Sequence, residues 1–181
     1  AIMDLNKRGV CANVIFELYD TTHMANTPIY SFYSSSPTRV VTFESKGGDK
    51  TLCSIYDVST NSVNNYALQF KGGSNIVVKN LGITNASAGS YSGVISLEQS
   101  SGNITFDNCN ISSKYSGGST NACLVYSGPK DRVSDISFNN CEFEGGSWAA
   151  HLEGDKGALH SNINFTKSKF KNNNRSSIWL M

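Results

Sequence analysis

The side chains best equipped for chemistry are Gln69, Glu98, Tyr126, His151, Glu153 and Trp179, all at alternate positions of short apolar runs. Aromatic rings offer flat apolar surfaces to the C–H faces of a sugar, and carboxylates and amides satisfy its hydroxyls. Gln69, Tyr126, His151, Glu153 and Trp179 are therefore the candidate ligand-binding residues. Glu98, Glu153 and His151 are the candidates for moving a proton. Two strand spacings separate the two glutamates, or about 9.6 Å of backbone. That is compatible with the roughly 6.5–9.5 Å carboxylate gap of an inverting glycosidase. A second group, Glu142, Glu144, His151, Glu153 and Asp155, could hold calcium through hard oxygen ligands. A solvated acidic turn beside Lys156 accounts for the same residues, so the expectation is no cofactor, with calcium as the secondary reading and no other metal.

An internal repeat must position these residues. The runs NIVVKNLGI (75–83), NITFDNCNI (103–111), DISFNNCEF (135–143) and NINFTKSKF (162–170) are variants of one unit, with anchors Ile76, Ile104, Ile136 and Ile163 spaced by 28, 32 and 27 residues. Period-2 alternation marks each unit as β, and a repeat of this length without a helical segment points to a coil of strands. From Tyr66 onward each rung divides into three strands. Leu68, Ile95, Cys123, Ala150 and Ile178 are expected to point inward on the first strand, which places Gln69, Ser96, Leu124, His151 and Trp179 in one outward row. Lys71, Glu98, Tyr126, Glu153 and Met181 form the next. Asn80, Asn108, Asn140 and Lys167 stand at the bend before the third strand, where asparagine tolerates left-handed backbone and can bond to its counterparts above and below.

The start of the chain reads as a short helix: Ile2 and Leu5 share a face, Lys7 and Arg8 suit its carbonyl end, and Gly9 suits the cap. Strands are expected at 13–19, 27–33, 39–44 and 52–56, with Gly47, Gly48, Gly72 and Gly73 in turns. The whole of 1–181 is read as one β-helix domain, 1–12 forming the cap and 13–181 the rungs, and as a piece of a longer chain. Cys109 and Cys141 occupy equivalent positions. Stacked parallel Cβ vectors about 4.8 Å apart disfavour a disulfide, so both are expected as buried thiols. Cys11, Cys53 and Cys123 are scattered, with no C-x-x-C spacing.

A net charge of +1, from 15 basic and 14 acidic residues, leaves no electrostatic footprint for nucleic acid, and no apolar run approaches the length of a membrane span. Five Asn-x-Ser/Thr sequons, at Asn85, Asn103, Asn110, Asn164 and Asn174, are read as turn and strand-edge residues. The helix followed by rungs of the form N-I-x-F-x-N-C-x-I resembles the right-handed parallel β-helix proteins of the pectate-lyase-like superfamily. The resemblance spans nearly the whole chain and implies an all-β fold, a right-handed parallel β-helix of three-strand rungs with a short N-terminal capping helix. It also implies an extracellular or cell-surface setting and a polysaccharide or glycan partner. The enzyme motifs of these relatives are missing: there is no Asp-Asp pair, no Gly-His-Gly and no Gly-Arg-Pro-Trp, and Arg8, Arg39, Arg132 and Arg175 fall in the cap or in turns. The leading expectation is a carbohydrate-facing binding scaffold. The alternatives are part of a polysaccharide lyase or glycoside hydrolase completed outside this segment, and a structural adhesin shaft. The particular sugar and the oligomeric state are not legible.

Overall fold

A computed structural model describes residues 1–181 except 26, 35, 59, 60, 63, 64, 155, 156 and 158. The first helix, α1 (Ile2–Arg8), buries Leu5 and ends at Gly9, whose φ of 67° lets its N–H return to the Leu5 carbonyl at 2.8 Å. Six rungs follow. They are β1 (Val14–Leu18), β2 (Thr22–His23) and β3 (Ile29–Tyr30); β4 (Val41–Ser45), β5 (Ser54–Asp57) and β6 (Tyr66–Lys71); and β7 (Ser74–Lys79), β8 (Gly82–Asn85) and β9 (Gly93–Glu98). The other three are β10 (Gly102–Asp107), β11 (Asn110–Ser113) and β12 (Val125–Ser127); β13 (Ser134–Asn139), β14 (Glu142–Gly145) and β15 (Trp148–Leu152); and β16 (Ser161–Thr166), β17 (Lys169–Lys171) and β18 (Ser176–Leu180). Every third strand pairs in parallel, giving three six-stranded sheets: β1-β4-β7-β10-β13-β16, β2-β5-β8-β11-β14-β17 and β3-β6-β9-β12-β15-β18. The chain is thus an all-β parallel solenoid with one short N-terminal helix.

The Ile-x-Phe repeat forms the first sheet, and its ladder runs further toward the N-terminus than the repeat itself. Val14, Val41, Ile76, Ile104, Ile136 and Ile163 pair in one column, and Phe16, Phe43, Val78, Phe106, Phe138 and Phe165 in the next. The rings of Phe106 and Phe138 stack at 4.8 Å, and those of Phe138 and Phe165 at 4.9 Å. Period-2 alternation turns these columns inward and leaves Thr105, Ser137 and Asn164 on the outer face.

Two columns of left-handed residues bend each rung. At the corner between the first and second sheets Asn80, Asn108, Asn140 and Lys167 have φ of 52–55°. Asn108 Nδ2 donates to Asn80 Oδ1 at 2.8 Å, and Asn140 Nδ2 to Asn108 Oδ1 at 3.1 Å. A matching column at Asn75, Asn103, Asp135 and Asn162 has φ of 50–58°, with Asn103 bonded to Asn75 and Asn162 to Asp135. A side-chain oxygen close to the backbone makes this region accessible to Asn and Asp.

The thiols of the core share one device. Gly82 N–H, Asn110 N–H, Glu142 N–H and Lys169 N–H donate to the carbonyls of Cys53, Leu81, Cys109 and Cys141, so these residues and Ser168 form one column. Cys53 Sγ lies 3.7 Å from Leu18 O, Cys109 Sγ 3.4 Å from Val78 O, Cys141 Sγ 3.5 Å from Phe106 O and Ser168 Oγ 3.1 Å from Phe138 O. Each donates to a main-chain carbonyl of the rung before it. Cys53 therefore belongs to the column expected only for Cys109 and Cys141, and all five cysteines are reduced.

Candidate functional site

The third sheet carries the candidate residues; Leu68 pairs with Ile95 and Ala150 with Ile178 as expected, and β12 alone is shifted by two residues. Val125 pairs with Ile95 and with Ala150, so Tyr126 stands beside Ser96 and His151 rather than beside Glu98 and Glu153. The cause lies in the linkers: the extra length of this rung is divided between the segments before and after β12 instead of falling wholly after it. A 3₁₀ turn, η1 (Thr120–Ala122), takes up the first share. Leu124, expected outward, packs into the core, and Cys123, expected inward, meets the outer face.

The outward row is therefore Gln69, Ser96, Tyr126, His151 and Trp179 on five successive strands. The row brings the three rings expected to meet a ligand into direct contact. His151 lies 5.7 Å from Tyr126 and 5.8 Å from Trp179, centroid to centroid and edge to face. Tyr66, the first residue of β6, stacks on Tyr126 at 6.3 Å by leaning across Gly93. A Cβ on Gly93 would fall 2.5 Å from the Tyr66 ring, so the close approach requires glycine here. Trp148 packs 5.0 Å from His151, and the Arg175 guanidinium lies 5.2 Å from the Trp148 ring centroid. Trp179 is 43 % exposed, whereas His151 is 4 % exposed and props the neighbouring rings from beneath.

The carboxylates flank this row and are already engaged. Glu98 Oε1 accepts from Gln69 Nε2 and from Ser96 Oγ, both at 2.6 Å, and Lys71 Nζ sits 3.7 Å from Oε2. Glu153 Oε1 lies 2.8 Å from His151 Nε2. Burial pushes the Tyr126 phenol up, helped by the negative charges of Glu153, Asp131 and Glu98 around it. Burial pushes the Tyr66 phenol up as well.

The residue that sequence reasoning missed is Cys123. Its Sγ lies 3.8 Å from His151 Nδ1 and 3.7 Å from Ser147 Oγ, and donates to Thr120 O at 3.0 Å. Burial raises its thiol to about 12. The only signal in the sequence was negative: Cys123 has no Asn-Cys context like Cys109 and Cys141.

The group of residues considered for calcium does not assemble. Glu142 lies on the second sheet, where Lys171 and Lys169 approach it at 3.0 and 3.4 Å and hold its carboxyl below the usual range. Glu144 accepts from Asn172 on the same face. His151 and Glu153 belong to the third sheet, and Asp155 lies outside the described residues. Among the described residues no cluster of three metal-ligating side chains is found, and no helix is long and apolar enough to cross a membrane. Compared with protein-family models, curated proteins and solved structures, the chain finds no match in any of the three.

Proposed function

We propose that the protein is a carbohydrate-binding β-solenoid, of the pectate-lyase-like kind, that works outside the cell or at its surface and presents the outer face of its third sheet to a polysaccharide. The observation that carries this reading is the contiguous row Tyr126, His151 and Trp179, bordered by Gln69, Glu98 and Glu153. Ring faces of Tyr126 and Trp179 would take the apolar faces of successive sugar units, and Gln69, Glu98 and Glu153 would bond to hydroxyls. His151 holds the two rings at fixed spacing from below. The first sheet offers no such surface, since its outer face shows Thr105, Asp107, Ser137, Asn139, Asn164 and Thr166.

A glycan array followed by titration of the responsive oligosaccharides tests the reading. Tyr126→Ala and Trp179→Ala should each weaken binding by about 1–3 kcal/mol, the scale of losing a buried aromatic contact. Thr105→Ala should leave it unchanged. Unaltered binding in both aromatic variants would favour a structural shaft instead.

A further inference from the structure

All four buried cysteines have a main-chain carbonyl as acceptor, and for Cys53, Cys109 and Cys141 it belongs to the preceding rung inside the coil. Cys123 is different: its neighbour is an imidazole, and the imidazole's other nitrogen meets a carboxylate. In order, Glu153 Oε1 is 2.8 Å from His151 Nε2, and His151 Nδ1 is 3.8 Å from Cys123 Sγ. His151 turns Nε2 to the carboxylate and Nδ1 to the thiol, so a neutral imidazole that donates to Glu153 from Nε2 presents its Nδ1 lone pair to Cys123. A carboxylate orienting a base, which in turn faces a nucleophile, is the arrangement that activates thiols and hydroxyls on unrelated folds.

We propose that Cys123, His151 and Glu153 form a nucleophile, base and orienting carboxylate for acyl transfer from an ester. The Cys123 proton passes to His151 Nδ1 as Sγ bonds to the acyl carbon. The ester C–O bond then breaks, and the departing alkoxide takes the proton from Nδ1. Water next attacks the thioester and gives a proton to Nδ1; the S–C bond breaks, and Sγ recovers that proton as the carboxylic acid leaves. No electrons change hands beyond these bonds. Trp148, whose ring packs 5.0 Å from His151, carries a buried Nε1–H with no acceptor. Thr120 O, on η1, also accepts the resting S–H, and Cys123 has no exposed surface. Small acyl groups are thus the expected substrates, entering as the η1 turn lifts from the thiol.

The test uses the whole chain with p-nitrophenyl acetate, a donor that carries no sugar, so its outcome is independent of the glycan reading. Release of p-nitrophenolate is followed against pH, and the acetylated residue is mapped by mass spectrometry after acid quench. The expected adduct is on Cys123 of the native protein, absent in Cys123→Ala, and formed at least about 100-fold more slowly in His151→Gln. Glu153→Gln should move the acid limb of the rate profile to lower pH, since the imidazole loses its anionic partner while Cys123, Tyr126 and the two tryptophans around it are unchanged. Should His151→Gln fail to fold by circular dichroism, that pH shift decides. Acetylation confined to Cys11 or to lysines would overturn the proposal. So would equal rates at Cys123 in native and folded His151→Gln protein, or a pH limb that Glu153→Gln leaves in place.

Discussion

Asn108 shows how much one side chain carries in this architecture. Its amide donates to Asn80 and its carbonyl accepts from Asn140, while its own backbone sits at φ 52°. Asn108→Gly keeps the backbone conformation and loses the ladder, so it should cost about 1–2 kcal/mol in urea unfolding. Asn108→Ala adds the left-handed penalty of a β-carbon and should cost about 1–2 kcal/mol more. Equal losses for the two variants would show that the ladder, and not the bend, sets the residue type. Phe138 makes the parallel case in the core, where it stacks on both Phe106 and Phe165 and is fully buried. Phe138→Ala should cost about 3–5 kcal/mol, read from the denaturation midpoint at constant slope.

The strands of the first sheet were legible because each carries two inward apolar anchors two residues apart, and the Ile-x-Phe pairs of β10, β13 and β16 cannot slip by one without turning their rings to water. The asparagine corner between the first and second sheets was legible for the same reason. Its counterpart at Asn75, Asn103, Asp135 and Asn162 was not singled out, although its residues are just as constant in type. The third sheet misled at β12 because Cys123 and Val125 keep the inward-outward parity under a two-residue shift, so alternation alone could not place them. Only the η1 turn, a local feature, breaks the tie. The shift moved Tyr126 next to His151, and the η1 turn, which ends at Cys123 ahead of β12, brings that thiol to His151; alternation foretold most of the aromatic row and could not foretell the Cys123–His151 contact. Cys53 escaped notice because it precedes the first recognisable repeat. Its position in the thiol column makes a prediction at this scale: iodoacetamide should modify exposed Cys11 in the native protein, while Cys53, Cys109 and Cys141 react only once the strands separate. Native-state labelling of any of those three would place its strand in the wrong register.

The coil as a whole links its stability to buried acids that resist ionising. Burial raises the thiols of Cys53 and Cys123, and the neighbouring Cys141 thiol, together with burial, raises that of Cys109. An unfolded chain ionises such groups first, near the ordinary value of 9.0. Their stabilisation is therefore complete below about pH 9 and declines as pH rises toward the folded values, about 12 in the case of Cys123. Cys123→Ser removes one titrating group and should flatten this alkaline decline by about 1.4 kcal/mol per pH unit in chemical denaturation. The same slope with and without Cys123 would mean that its thiol ionises as readily in the fold as outside it. At neutral pH these thiols rest protonated, and among the described residues the third of the solenoid's sheets alone carries an outward aromatic row. The most direct measurement of its role is hydrogen exchange in the presence and absence of the tightest-binding oligosaccharide from the array. The account predicts slowed exchange in β12, β15 and β18 and in the turns bordering them, with β10 and β13 unaffected. Protection centred on β10 and β13, or on the second sheet, would contradict it.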